Sequence, residues 1–276
     1  MAKSSAKPTK PNVVAQARAG GGKKQQSTPA GKWLWENFKS LAGAVLIYLF
    51  VKTLFVEAFR IPSGSMIPTL LVGDWLFVNK LAYGPTIPFT NSHLPGYTDP
   101  KHGDVVVFES PYQADNAPDY TPTLVKRLIG MPGDTIFMRK GMVYINGNAQ
   151  HQGYGIVSTP RIGSSQPTDV APNFEWQHKY ELKQSRFGAA PVQPQLDNWG
   201  PLVIPAAHYF MMGDNRYESK DSRYWGVVPR ENIRGRPIFV YYSYRSGDCA
   251  GNEDCSDRPL PFITDIRWGR IGTRIH

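Results

Sequence analysis

An uncharged apolar run, Ser40 to Val51, constrains this chain more than any other feature. Twelve residues are too few to cross a bilayer, which takes about 20. Carried through Lys52 to Val56, however, the segment Glu36–Val56 is long enough. Lys52 then falls near one end, where a long side chain can reach the interface. Trp33 and Trp35 lie at the other end, in the position of an interfacial aromatic belt. Residues 1–39 hold eight of the 31 Lys and Arg and one of the 22 acids, Glu36. They therefore carry +7 of the net +9 charge and leave only +2 for the other 237 residues. Basic residues ahead of a span place its N-terminus in the cytoplasm and export the chain beyond it. Two other readings stand beside a transmembrane helix: a buried core helix, and a cleavable signal peptide with Val56-Glu57-Ala58 as its cut. The tail has too little apolar content to fold alone, and residues 1–35 are predicted to be a disordered cytoplasmic extension. The body lacks the charge excess of a nucleic-acid binder, so no nucleic-acid partner is expected.

After the span the chain changes character. Gly and Pro make up about 18% of it, with 26 and 24 residues, which favours short strands and turns over long helices. Apolar runs bounded by turn residues predict strands at Trp75–Asn79, Val105–Glu109, Thr123–Ile129, Thr135–Arg139, Met142–Asn146, His208–Met212, Gly226–Val228 and Ile238–Tyr244. The expectation is an all-β, antiparallel body over 57–146 and 201–276. It would be interrupted by a loop-rich inserted subdomain at 147–200 and preceded by a transmembrane helix over 36–56.

Chemistry is suggested first by the loop after the span. Ser63 and Ser65 flank Gly64, with Pro62 and Pro68 outside them, and prolines on both sides oppose a helix. An ordinary Ser/Gly/Pro turn has the same composition. A nucleophilic serine needs a base. The six histidines are scattered, and no pair of them has metal-ligand spacing, so no metal site is expected. A lysine can serve if burial lowers its pKa. Lys126 lies in a predicted strand beside Leu124 and Leu128, unless that strand is an edge and the amine points to water. Arg127 cannot serve, because a guanidinium stays protonated. A polar run, Gly213 to Gly226, comes after an apolar strand and reads either as a solvated loop or as a frame that orients the base. Cys249 and Cys255 are the only cysteines, and an exported location favours a disulfide between them.

Several of these stretches together resemble the successive motifs of type I signal peptidases. They are Ile61 to Leu70, Gly73-Asp74, Gly103 to Phe108, Val125 to Asp134, Gly213-Asp214-Asn215-Arg216 with Ser219 and Asp221 to Gly226, and the ending Arg270-Ile271-Gly272 with Ile275-His276. The resemblance covers roughly 40–146 and 203–276. It implies a membrane-bound serine endopeptidase that needs no cofactor and removes signal peptides from exported preproteins after small residues. In that family's scheme Ser65 is the nucleophile and Lys126 the general base. The Ser65 N–H and the Ser63 hydroxyl form the oxyanion hole. Ser219 orients the lysine, Asp221 and Arg223 support it, and Gly213 and Asp214 shape the site. Phe59, Ile61, Leu124 and Val125 match pocket-lining positions. Implied partners are signal peptides, the lipid bilayer and the export machinery. The implied location is a bacterial inner membrane, crossed once, with the catalytic domain on the periplasmic side. The sequence departs from the pattern in its 147–200 segment, in having one visible span where some members have two, and at Tyr217, Glu218 and Lys220. Two other functions fit parts of the sequence: a different Ser–Lys protease such as a self-cleaving repressor, and a non-enzymatic tethered β-domain that binds peptides.

Overall fold

A computed structural model describes residues 30–87, 90, 92, 94–111, 123–151, 174–183, 187–245 and 258–276. The chain divides into two units, Met1–Leu46 and Ile47–His276. The helix α1, Ala30–Leu54, contributes the described part of the first unit and opens the second. Its stretch Gly31–Leu54 has 24 residues, a length and composition that can cross a membrane. At 1.5 Å per residue that is ~36 Å, against ~30 Å of bilayer hydrocarbon. A soluble protein's core helix would be mostly buried, whereas none of the apolar window is. The helix starts earlier than the predicted span and stops two residues sooner. It stops at Leu54 because Val56–Arg60 forms β1, whose backbone pairs with β2, Asp74–Asn79, from Val56↔Asn79 to Arg60↔Trp75.

The second unit is built on two antiparallel sheets. Its remaining strands are β3 (Val105–Glu109), β4 (Thr123–Gly130), β5 (Thr135–Arg139), β6 (Met142–Ile145), β7 (Asn148–Ala149), β8 (Trp199–Val203), β9 (His208–Met212), β10 (Val228–Pro229) and β11 (Ile233–Ser243). The larger sheet has the order β1-β2-β11-β3-β4-β9-β10, and the smaller one β7-β6-β5-β8. The antiparallel all-β architecture with an apolar helix before it is the one expected. In β2 buried and half-buried residues alternate, the period-2 signature of a strand with one covered face. In β3 the first four residues are all buried, as a central strand covered on both faces requires.

Three strands went unread in the sequence, and each has a local cause. β1 was absorbed into the apolar span, β7 has two residues, and β8 carries Gly200 and Pro201. β11 begins five residues before its predicted start because Pro237 lies inside it. The register slips between Pro237 and Phe239, an irregularity of the kind that admits proline to a strand. The hairpin β5–β6 pairs with β8 and β7 in the smaller sheet. A shared core joins the sheets: Ile129, Phe210 and Met212 from the larger, and Ile136, Met138, Val143, Trp199 and Leu202 from the smaller. A second core, with Ile61, Met66, Leu70, Leu76, Val78, Val105, Val107 and Val240, lies under the serine loop.

Candidate active site

The loop between β1 and β2 is pinned at both ends. Ile61 donates to the Asp74 carbonyl (2.8 Å) and Gly73 donates to the Ile61 carbonyl (3.0 Å), which extends the β1–β2 pairing. Gly73 has φ +89°, and a Cβ there would lie 2.2 Å from the Tyr244 carbonyl oxygen, so only glycine fits. Between these ends Gly64–Met66 form one 3-10 turn, closed by Ile67 N–H to the Gly64 carbonyl (3.1 Å). Met66 and Leu70 are fully buried. Each contributes roughly 2–3 kcal/mol of apolar burial, which holds the turn down on its core. Asp74 is also fully buried and gathers Ser243 Oγ, Leu71 N–H and the Arg270 guanidinium around its carboxylate. The outcome separates the two serines: Ser65 is buried in the turn and Ser63 is exposed.

Lys126 comes to Ser65 from β4. This strand pairs with β3 through Lys126↔Val106 and with β9 only from Arg127↔Met212 onward, so Lys126 ends its one-sided half, yet its amine is turned inward rather than to water. Lys126 is 4% exposed, and its Nζ donates to Ser65 Oγ at 2.6 Å. Burial lowers the ammonium pKa from 10.5 to about 8. Asp221 and Asp214 oppose that shift, and Arg223 adds to it. At pH 7 the neutral amine then amounts to about one in ten molecules, against roughly one in three thousand for an unperturbed lysine.

The segment after β9 folds around a buried carboxylate. Asp221 caps the short helix α2, Ser222–Trp225, by accepting from Arg223 N–H. Its Oδ2 accepts from Gly213 N–H (3.0 Å), Ser219 Oγ (2.8 Å) and Arg223 Nη2 (2.9 Å), and its Oδ1 from Arg223 Nε (2.9 Å). Burial alone would raise this carboxyl, but the Arg223 charge, these hydrogen bonds and Lys126 outweigh it and hold the group below the usual carboxylate range. The Ser219 hydroxyl thus bonds to Asp221, and no hydrogen bond joins it directly to Lys126 among the described residues. Gly213 is required here: a Cβ would lie 2.2 Å from Ser219 Oγ and 2.5 Å from the Ser65 carbonyl oxygen. Asp214 takes a bidentate pair from Arg127 Nε (2.7 Å) and Nη2 (2.6 Å), and a bond from Thr69 Oγ1 (2.6 Å). Arg127 Nη1 also reaches the carbonyls of Gly103 (2.6 Å) and His276 (2.8 Å).

The four residues matched to pocket positions divide between two packing clusters. Ile61, Phe59 and Val125 belong with the core beneath the serine loop, whereas Leu124 packs against the cluster on the other side, with Val106, Phe108 and Leu128. Thr123–Lys126 pair with β3 on one side only, since the pairing with β9 begins at Arg127, and β1 pairs with β2 alone. Two lengths of strand edge therefore remain open near Ser65 among the described residues. Sequence reading missed the roles of Arg127, Thr69 and Asp74. The available signal was the pair Lys126-Arg127 in one strand: successive side chains point to opposite faces, so two buried cations need two different partners. Cys249 and Cys255 lie outside the described residues.

Comparison with known proteins finds relatives over most of the chain. The family model described as signal peptidase, peptidase S26, matches residues 34–242. A signal peptidase I of Pseudomonas aeruginosa is 35% identical over 228 residues, covering 76% of this chain and 73% of its own. One from Pseudomonas fluorescens is 36% identical over 222 residues, with the same coverage of both chains. A third, from Rickettsia typhi, is 30% identical over 265 residues and covers 90% of this chain and 96% of its own. The chain belongs to the signal peptidase I family, peptidase S26.

Proposed function

We propose that this protein is a serine endopeptidase that removes signal peptides from exported preproteins, with Ser65 as nucleophile and Lys126 as general base. The observation that carries the assignment is the 2.6 Å contact between Ser65 Oγ and the buried Lys126 Nζ. Neutral Lys126 takes the hydroxyl proton as Ser65 attacks the scissile carbonyl. The oxyanion that forms is held by the Ser65 N–H and the Ser63 hydroxyl, which is exposed and free to turn toward it. The ammonium of Lys126 then returns the proton to the leaving amine, and a water activated by the same lysine hydrolyses the acyl enzyme. Asp221 and Arg223 fix the ground beneath this exchange, and Ser219, bonded to Asp221, fills the place next to Gly213. Asp214 holds the serine loop through Thr69 and β4 through Arg127.

A signal peptide lies in extended form along the open edges of β1 and the first half of β4, so that alternate side chains enter pockets walled by Phe59, Ile61, Leu124 and Val125. That spacing accounts for small residues at the first and third positions before the cut. α1 anchors the enzyme in the bacterial inner membrane, with the basic N-terminal tail in the cytoplasm and the catalytic unit on the periplasmic side. The decisive experiment compares cleavage of a preprotein by the purified full chain and by its Ser65→Ala variant. Loss of cleavage in the variant is expected, and full activity would overturn the assignment.

A further inference from the structure

One residue of the Gly213–Gly226 segment grips the nucleophile's own peptide unit. Asn215 N–H donates to the Ser65 carbonyl (3.1 Å), and Asn215 Nδ2 donates to the Gly64 carbonyl (3.2 Å). The same Nδ2 donates to Glu218 Oε2 (2.9 Å), and the Glu218 N–H closes the turn on the Asn215 carbonyl (3.2 Å). Two acceptors around one amide nitrogen use both its protons and fix which end of the amide faces the serine loop. Glu218 Oε2 itself stands so near the loop that a Cβ at Gly64 would lie 3.2 Å from it. Gly213 adds to the close fit, since no side chain could stand between it and the Ser65 carbonyl.

The Gly64 carbonyl and the Ser65 N–H belong to one planar peptide group and point in opposite directions. Fixing the carbonyl therefore fixes the N–H, and a hydrogen bond to the oxygen polarises the N–H as a donor. We propose that Asn215, held by Glu218, is a positioning residue that aims the Ser65 N–H at the oxyanion, and that Glu218 acts through Asn215 without touching substrate. This rests on the assignment of Ser65 as nucleophile. The Gly64 carbonyl also accepts from Ile67 N–H (3.1 Å), so the peptide keeps one tether when the Asn215 side chain is removed. The loss should therefore be smaller than that of an oxyanion donor itself, which is typically about 100-fold or more.

The test measures preprotein cleavage by the full chain for wild type, Asn215→Ala, Glu218→Ala, Glu218→Gln and Ser65→Ala. It also measures inhibition by a peptide aldehyde, whose hemiacetal on Ser65 places an oxygen in the oxyanion position, and binding of the cleaved signal peptide, which forms no oxyanion. Asn215→Ala should lower kcat about tenfold with KM unchanged and weaken the aldehyde by the same factor, while leaving signal-peptide binding unaltered. Glu218→Ala should give part of that loss, and Glu218→Gln, which keeps an acceptor for Asn215, should restore it. If Asn215→Ala folds poorly, the Glu218 pair and the aldehyde-to-peptide ratio decide the question alone. The proposal is overturned if kcat is unchanged in both alanine variants, or if aldehyde and signal peptide weaken equally. Should Ser65→Ala cleave as well as wild type, the nucleophile assignment fails and this inference with it. A dead Ser65→Ala beside fully active Asn215→Ala and Glu218→Ala defeats the positioning role alone.

Discussion

Lys126 and Arg127 are neighbours on one strand, buried to 4% and 5% exposure, and the fold treats them oppositely. Arg127 meets a carboxylate in bidentate geometry and two backbone carbonyls, so its charge is compensated. Lys126 donates to a hydroxyl, with carboxylates acting on it only from farther away, so its charged form is disfavoured. A buried cation with a full set of acceptors is a structural joint. A buried cation with a neutral partner has a mobile proton. The contrast teaches that the state of a buried cation depends on the acceptors it meets as well as on its burial.

The largest expected effect is on turnover. Lys126→Met should lower preprotein cleavage by about 10⁴-fold or more, as loss of a member of a catalytic unit does, with folding intact by circular dichroism. Retained turnover would break the contrast on its catalytic side. Arg127→Met should act on stability instead. It leaves the Asp214 carboxylate buried without its guanidinium, at a cost of about 3–5 kcal/mol in denaturant unfolding. If Arg127→Met were as stable as wild type, the pair would not be the joint described.

The two cations should also differ in sign. The folded pKa of Lys126 lies below its unfolded value, so at pH 7 the folded state bears the cost of a disfavoured charge. Lys126→Met should therefore stabilise the fold at neutral pH by on the order of 3 kcal/mol before packing differences. That gain should shrink as pH rises from about 8 through 10.5, above which neither state is charged. Urea unfolding at several pH values measures it, and a gain independent of pH would remove the link to titration. The smallest effect concerns the rate profile. Cleavage should rise with pH through a limb near 8 as Lys126 loses its proton. Asp221→Asn removes an influence that raises this pKa, so the limb should move to lower pH; a move upward would mean that Asp221 is not acting as a charge on the lysine.

Some of this could be read without coordinates. The serine flanked by glycine and proline, the lysine in an apolar strand and the polar run after β9 were all visible, because each is a local pattern of residue types. Their partners were not. Ser65 and Lys126 are 61 residues apart, Arg127 and Asp214 are 87 apart, and Asn215 and Gly64 are 151 apart. Periodicity reports which face of a strand is apolar, but not which distant loop lies over it. The same limit hid β8 and the first half of β11, whose Gly and Pro residues read as breaks until a neighbouring strand supplies their pairing.

The sequence by itself determined the class of structure: an apolar helix long enough for a bilayer, and after it short antiparallel strands punctuated by Gly and Pro. Length, period and turn chemistry act over a few residues, so they survive without knowledge of the fold. Only the tertiary structure decided which serine is buried, that Lys126 is buried against Ser65, that Ser219 bonds Asp221 and that Asn215 bonds the Gly64 carbonyl. Those outcomes depend on desolvation and on hydrogen-bond geometry between segments far apart in the chain, and both exist only after the sheets have packed.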